Sequence, residues 1–297
     1  LEDQYAHYVK NPSTLMVTIV FEKMAMQEFI QENSDSVLKT MQTQYPIDPR
    51  KNFPMPEEEI LNLEPAEALA PLTNGEVIGG HTMPWGSNYT FLLWVTAGEN
   101  QCVRAIYKPK EGEKPLRDFP AGTLYKREQA AYEVSKLLGW PNIPLTIIRE
   151  GPYGVGSMQL YLDCDPRITY FDMRDDSPDG LFSLAVFDLL VNKADRKAGH
   201  CLLDGFKNIW SIDHGLTFHP AFKMRTVMME YCGQEIPPTL IADMKNLKAY
   251  LNEDYKSLGL LISIEEIKAL ARRLDRIIEN PIMPILDPNM NIPWPLV

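Results

Sequence analysis

The chain has 297 residues, a formal net charge of −11 and 45% hydrophobic residues, enough to build two compact units. The acidic balance argues against binding to nucleic acid, and no segment approaches the roughly 20 apolar residues of a membrane helix, so we expect no stable membrane association. The four cysteines are scattered without a CxxC pair, which indicates a reduced, cytoplasmic protein rather than a zinc site or a disulfide framework.

The first part of the chain predicts an extension followed by a β-rich half. The later part of residues 1–62 is polar and proline-rich, which predicts that 1–62 form an N-terminal extension or wrap. A short helix is predicted next, followed by three strands that are separated by turn residues and form an antiparallel meander. These elements cover 65–72, 75–83, 89–97 and 101–109.

A longer helix and two further strands complete this half. Leu124, Ala131 and Leu138 recur at helical spacing, and Gly139 ends the helix, which is predicted over 121–140. Strands are predicted over 143–151 and 156–163.

The remainder of the chain is rich in helix. Helical patterns cover 179–192, 237–252 and 263–279. The predicted fold class is therefore α+β, with an antiparallel β-rich N-lobe that contains one helix and a mostly helical C-lobe. We assign residues 63–162 to the N-lobe and 163–297 to the C-lobe, and a ligand is expected in the cleft between them.

The turn "PWGSN" between the first two strands could contact phosphate. Gly86 allows close approach of the backbone to a ligand, and Ser87 and Asn88 offer hydrogen-bond donors. The same residues are also ordinary hairpin chemistry, so the turn by itself does not distinguish the two interpretations.

A lysine and a glutamate follow in an order that suits a nucleotide site. Lys108 ends the third strand, where it is either a solvated lysine or a ligand of the α- and β-phosphates. Glu128 shares the apolar stripe of the following helix, and a carboxylate on a buried stripe needs a partner. Glu133 is the other candidate for the partner of Lys108. Alternatively, Glu128 is only solvated and has no role in a site.

Two aspartates follow apolar runs in the helix-rich half. Asp195 follows "LFSLAVFDLLVN", and Asp213 lies in "IWSIDHGL". Mg²⁺ bound to a nucleotide takes one or two carboxylates together with phosphate oxygens, and His200 stands where a second metal ligand could lie. A single loop aspartate is usually a cap or turn residue, but two of them after a lysine and a glutamate indicate phosphoryl transfer.

The order of these motifs resembles the atypical kinases of the phosphatidylinositol 3-/4-kinase-like superfamily. "DRKAGH" is similar to the Asp-Arg-His-x-x-Asn catalytic loop of that superfamily, and "IDHG" is similar to its Ile-Asp-Phe-Gly metal motif. Longer stretches, including "REGPYGVGSMQLYLD" and "NKADRKAGHCL", resemble a bacterial kinase-like branch of the superfamily. The resemblance covers about residues 66–297.

The resemblance implies a role for each matching residue. Lys108 would bind the α- and β-phosphates and pair with Glu128, and Asp213 would hold Mg²⁺. Asp195 would be the base or the orienting group, and Arg196, its neighbour in the catalytic loop, would be a further catalytic residue. The residues that would form the hinge and meet the adenine are Gln159, Tyr161 and Leu162.

At two positions the sequence departs from the superfamily pattern, and these departures leave the identity of the metal and the rate of turnover open. His200 replaces the metal-binding Asn, and imidazole suits Mn²⁺ better than Mg²⁺. His214 replaces the Phe that follows the metal aspartate. We therefore expect an ATP-dependent kinase with Mg²⁺ or Mn²⁺ that acts on a protein hydroxyl or a small polar molecule. The alternatives are a nucleotide-binding pseudokinase and an AMP-transferring module, whereas the acidic charge disfavours a lipid acceptor.

Overall fold

The computed structural model describes residues 56–83, 88–176, 178–253 and 255–297. The chain divides into two compact units, 1–54 and 55–297, and all the described residues belong to the second. Residues 1–55 of the predicted extension and the turn residues Gly86 and Ser87 lie outside the described residues.

A six-stranded sheet forms the first lobe. The strands are β1 (Glu59–Leu61), β2 (Val77–Thr82), β3 (Phe91–Gly98), β4 (Gln101–Pro109), β5 (Thr146–Gly151) and β6 (Gly154–Leu160). Their order is β2-β3-β4-β6-β5, and β1 pairs separately with β4. All pairs along the main path are antiparallel, whereas β1 runs parallel to β4. The predicted meander is thus present, and residues 59–61, which we had predicted as part of the extension, belong to the sheet.

Side chains alternate along a strand, so one face of the sheet packs in a core and the other carries Lys108. In β4, Val103, Ala105 and Tyr107 are buried in a core that also contains residues of helix α1 (Pro65–Asn74). Lys108 is the residue of β4 after Tyr107, so its side chain lies on the opposite face of the sheet, toward helix α2 (Leu124–Leu138). The strand periodicity by itself thus directs the lysine away from the core of the first lobe.

Helix α2 (Leu124–Leu138) connects the two lobes. Gly139 caps its C-terminal end, with a φ of 81° that glycine readily adopts. The N–H of Gly139 donates to the carbonyl oxygen of Ser135. Ala131 and Val134 are part of the core of the second lobe, and Tyr132 packs against both cores. The helix is therefore held by the second lobe as well as by the sheet.

The second lobe is mostly helical and is reached through the connecting segment 161–169. Its elements are α3 (Tyr170–Met173), α4 (Pro178–Val191), β7 (Cys201–Leu203), β8 (Ile209–Ser211), α5 (Pro238–Glu253), α6 (Lys256–Gly259), α7 (Ile264–Glu279) and α8 (Pro288–Asn291). Leu181, Leu184 and Leu190 of α4 are fully buried, and α4 lies in the centre of this lobe's core.

The predicted α+β fold class is confirmed: the described chain has a β-rich first lobe and a mostly helical second lobe. The first lobe contains α1 and α2 rather than the single helix that we assigned to it. In the described part of the chain, every helix is too short or too polar to cross a membrane. The four cysteines are free.

Candidate active site

Lys108 of the first lobe bonds to side chains from α2 and from the second lobe. Its Nζ donates to Glu128 Oε1 at 2.5 Å and to Asp213 Oδ1 at 2.7 Å. Glu128 comes from α2, and Asp213 follows β8 of the second lobe. Strand, helix and second-lobe segment thus converge on a single ammonium group.

Glu128, rather than Glu133, is the partner of Lys108. Its side chain is 4% exposed. The second carboxylate oxygen, Oε2, accepts the backbone N–H of His214 at 2.7 Å. Glu128 therefore connects the lysine to the backbone directly after Asp213, and burial makes both bonds costly to break.

The two carboxylates keep Lys108 charged. Burial by itself would lower the pKa of Lys108, but Asp213 and Glu128 more than offset that effect and raise its pKa. An ammonium that stays protonated over the whole working pH range is suited to binding phosphate.

Asp213 stands in an unusual backbone conformation. Its φ is 60°, in the left-handed region that residues other than glycine rarely adopt. The buried Lys193 donates from Nζ to the backbone carbonyl of Asp213 and so holds this conformation. Burial would raise the pKa of the Asp213 carboxyl, but Lys108, His200 and Lys193 hold it well below its usual value. The carboxylate is therefore ionised and able to hold a cation.

His200 faces Asp213 at the end of a short 3₁₀ turn, Ala198–His200. Its Nε2 lies 3.1 Å from Asp213 Oδ2. Its Nδ1 lies 3.0 Å from the carbonyl oxygen of Asp195 and 3.3 Å from the N–H of Lys197, so either neutral tautomer has a partner. Burial lowers the pKa of His200 to about 3, and the neutral imidazole is the form that binds metals.

Asp195 lies beside these groups and remains accessible. Its side chain is 27% exposed, and Oδ2 lies 3.7 Å from Lys197 Nζ. Burial raises the pKa of Asp195, although Lys193 and Lys197 act in the opposite direction. A carboxylate with a raised pKa and an open face can accept a proton from a hydroxyl group.

Arg196, which we predicted as a catalytic residue, does not face the cleft. It is fully buried and forms a two-point ion pair with Asp188, with distances of 2.7 and 2.8 Å. It also donates to Ser211 Oγ at 2.7 Å and to the carbonyl oxygen of His200 at 2.9 Å. Its contacts position the segments that carry Asp195 and Asp213, and they do not support direct contact with a reacting group.

His214 belongs to this buried network. It is fully buried, and its Nε2 lies 2.9 Å from Ser211 Oγ and 3.3 Å from Arg196 Nη2. The side chain therefore points into the second lobe, and its replacement of Phe removes none of the charged groups from the cleft.

Of the three residues expected at the hinge, Tyr161 and Leu162 begin the segment that joins the lobes, and Gln159 lies in β6. Gln159 pairs with Ile106 in the sheet, on the Lys108 face, and its Nε2 donates to Thr146 Oγ1 at 2.8 Å. The N–H of Tyr161 donates to the carbonyl oxygen of Arg104 at 3.0 Å, and Leu162 accepts from Cys164 at 3.1 Å. These bonds fix the backbone at Tyr161 and Leu162, and the contact of the three residues with an adenine stays a prediction.

Asn88 is the one residue of the predicted phosphate-binding turn that the structure describes. Its Oδ1 accepts the N–H of Lys114 at 2.8 Å. This bond connects Asn88 to the loop that follows β4. The role of Asn88 toward phosphate stays a prediction.

The residues present fit a metal that is bound together with a nucleotide. In the described ranges, no three His, Cys, Asp or Glu side chains form a metal-binding group by themselves. Asp213 and His200 can supply two ligands, and Mg²⁺ typically takes one or two protein ligands and completes its shell with phosphate oxygens and water.

A curated relative identifies the family. The chain is 35% identical over 264 residues to protein Rv2133c of Mycobacterium tuberculosis, with 76% of this chain and 94% of the relative covered. The chain belongs to the Rv2133c family. No protein-family model matches the sequence.

The Rv2133c family member is also similar to a solved kinase structure. The Helicobacter pylori proinflammatory kinase CtkA shares 11% identity, with a TM-score of 0.42, over 71% of this chain and 94% of that chain. At this level the likeness adds nothing to the assignment of individual residues.

The sequence reasoning missed two residues of the site in this Rv2133c family member. Lys193 supports the backbone of Asp213, and Arg127 connects α2 to the second lobe. Each is a charged residue beside an apolar run, and only its burial of 99% or more of the side chain distinguishes it from a solvated lysine or arginine.

Proposed function

We propose that this chain is an ATP-dependent phosphotransferase, an atypical kinase of the phosphatidylinositol 3-/4-kinase-like superfamily, that acts on a hydroxyl of a protein or of a small polar molecule. The observation that carries the proposal is the contact of Lys108 with Glu128 and Asp213, at 2.5 and 2.7 Å. A strand lysine between a helix carboxylate and an aspartate that can bind metal is the constellation that protein kinases use for phosphoryl transfer from ATP.

In this proposal, Lys108 binds the α- and β-phosphates. Its bond to Asp213 is the one that a nucleotide replaces, because Asp213 is 44% exposed and Glu128 only 4%. Glu128 keeps its bond to the N–H of His214 and so holds the ammonium group in the cleft. The lysine thus exchanges one anionic partner for another.

Asp213 and His200 bind the divalent cation, Mg²⁺ or Mn²⁺, that neutralises charge on the β- and γ-phosphates. A neutral imidazole beside a carboxylate favours Mn²⁺ over Mg²⁺. Both side chains are already within 3.1 Å of each other, so the pair needs little rearrangement to act together.

Asp195 orients the acceptor hydroxyl and accepts its proton. The acceptor oxygen bonds to the γ-phosphorus, the bond between that phosphorus and the bridging oxygen breaks, and ADP leaves. Lys197, with Nζ 3.7 Å from Asp195 Oδ2, can bind the negative charge of the group in transfer.

One observation favours a second candidate, a nucleotide-binding module without transfer. Both carboxylate oxygens of Asp213 are already engaged, one by Lys108 and one by His200. A cation must displace at least one of these contacts, and a site that does not release them would bind nucleotide without turnover.

The test is transfer of label from γ-labelled ATP by the wild-type chain, with Mg²⁺ and with Mn²⁺. Lys108→Met and Asp213→Asn should each lower the rate by about 10² to 10³. Asp275→Asn is the control, because Asp275 pairs with Lys248 in the second lobe, at about 41% exposure. An Asp213→Asn chain with undiminished turnover would refute the assignment.

The same preparation distinguishes the alternatives. Label transferred from α-labelled ATP would identify an AMP transferase. A thermal shift with ATP and metal, combined with no transfer of either label, would identify the module that binds nucleotide only.

A further inference from the structure

Arg127 precedes Glu128 in α2 and is 1% exposed. Its Nη2 pairs with Glu266 Oε1 at 2.5 Å, and its Nη1 donates to the carbonyl oxygen of Thr217 at 2.7 Å. Both partners belong to the second lobe, so the residue beside the lysine's glutamate is bonded across the lobes.

Glu266 is itself held in place. It occupies the third position of α7, where its Oε2 accepts the N–H of Ser263 at 2.8 Å and completes a capping box. The guanidinium of Arg127 also lies 5.1 Å from the ring centre of Phe119, in the loop before α2. The ion pair therefore joins two helices at fixed positions.

Arg127 and Glu128 together bind both ends of the segment 214–217. Glu128 Oε2 accepts the N–H of His214, and Arg127 donates to the carbonyl oxygen of Thr217, each at 2.7 Å. Within the segment, Thr217 Oγ1 donates to the carbonyl oxygen of His214 at 2.7 Å. This segment directly follows Asp213, so its conformation determines where the Asp213 carboxylate stands.

A second contact joins the same regions near the start of α2. Lys223 Nζ lies 3.0 Å from Asp118 Oδ2, and the ring of His219 packs edge-on against Phe119 at 5.3 Å. The chain that follows Asp213 is thus bonded to α2 and its preceding loop at several places.

Movement of α2 away from the second lobe would separate Arg127 from Glu266. A buried charge that loses its partner carries a large desolvation penalty, so the separated state is strongly disfavoured. Glu128 is the next residue of the same helix, so this pair also keeps the backbone of Glu128 close to Lys108.

We propose that Arg127 is a positioning residue that holds Glu128 and the segment 214–217 in the arrangement that receives Lys108 and Asp213. The kinetic consequence rests on the proposed function, whereas the structural consequence does not.

The experiment compares four variants with the wild-type chain. Arg127→Met removes both contacts, Arg127→Lys retains the charge, and Glu266→Gln retains the capping box but removes the ion pair. Arg149→Gln is the matched control, because Arg149 Nη1 donates to the carbonyl oxygens of Leu72 and Gly75, both at 2.9 Å, on the far side of the first lobe. Each variant is measured for kcat and KM for ATP and for hydrogen exchange at residues 214–218 without nucleotide.

We expect Arg127→Met to lower kcat by about 10- to 100-fold with a smaller change in KM, because a displaced glutamate misplaces the lysine. The His214 amide should exchange at least about tenfold faster. Arg127→Lys should restore part of kcat, Glu266→Gln should show a smaller loss of the same kind, and Arg149→Gln should change neither quantity.

The proposal is overturned if Arg127→Met, or Arg127→Lys and Glu266→Gln where Arg127→Met does not fold, retains both the wild-type kcat and the wild-type exchange at 214–218. It is also overturned if Arg149→Gln has the same effect as Arg127→Met. A wild-type chain that transfers no phosphate contradicts the proposed function alone, because the exchange measurement still tests the positioning by Arg127.

Discussion

The two lobes present their charged groups in different ways. Lys108 stands on a regular strand of a six-stranded sheet, where the ladder satisfies the backbone and the alternation of side chains sets the direction. Asp213 stands on an irregular segment with φ at 60°, and Asn192, at the end of α4, has φ at 56°. The second lobe therefore needs other interactions to fix its backbone.

Buried polar side chains supply these interactions. Arg196 bonds to Asp188, Lys193 bonds to the carbonyl oxygen of Asp213, and the side chain of Asn192 bonds to the carbonyl oxygens of His219 and Ala221. Irregular backbone can be as well defined as a strand, but only when buried groups satisfy its donors and acceptors. The following variants test this difference between the lobes.

The largest expected effect comes from Arg196→Met. The change leaves Asp188 as a fully buried carboxylate without its partner, which should lower the free energy of unfolding by about 3–5 kcal/mol. The first-lobe comparison is Arg104→Met, whose partner Asp163 is 63% exposed, with an expected cost of roughly 0–1 kcal/mol. Urea unfolding measures both, and equal losses would contradict the distinction between the lobes.

A smaller effect is expected at Asn192. Asn192→Ala and Asn192→Gly lose the same side-chain bonds, but alanine also carries the cost of a left-handed φ, so the Ala variant should be less stable by about 1 kcal/mol. In the first lobe, Asn100 has the same φ of 56° in an exposed turn. Asn100→Gly should change the free energy of unfolding by less than about 1 kcal/mol. If Asn192→Gly is as mild as Asn100→Gly, the buried bonds of Asn192 contribute nothing to stability.

A further expected effect depends on pH and concerns His200. Burial lowers its folded-state pKa to about 3, whereas the unfolded chain binds a proton near pH 6.5. The unfolded state thus holds more protons between these values, and stability should fall by about 1.4 kcal/mol for each pH unit below 6.5 because of this group. His200→Asn removes that slope when unfolding is measured in buffer that contains a metal chelator. Parallel pH curves for the two chains would show that folding does not lower the pKa of His200.

His200→Asn also introduces the Asn of the catalytic-loop motif that "DRKAGH" resembles. An amide oxygen is a harder ligand than an imidazole nitrogen, so the preference of the variant should move from Mn²⁺ toward Mg²⁺. Binding of each metal with ATP, followed by thermal shift, measures this preference independently of turnover.

Local patterns were sufficient to predict most elements and part of the site. The alternation in β4 pointed Lys108 away from the core, and the helical stripe of α2 placed Glu128 on a buried face, where it meets the lysine. The prediction was wrong for residues 59–61, because a three-residue strand is too short for its alternation to be recognised. Arg196 resembled a catalytic-loop residue in the sequence, and only the folded chain shows that it is buried.

The sequence by itself determined the order of strands and helices and the residue types that could bind a phosphate, a cation and a hydroxyl group. These features depend on periodicity, which is local along the chain. Only the tertiary structure decided which charges are buried and with whom, since Arg127 meets a carbonyl group 90 positions away and Lys108 a carboxylate 105 positions away. The energy of a charge depends on its surroundings, and distant segments create those surroundings when the lobes come together.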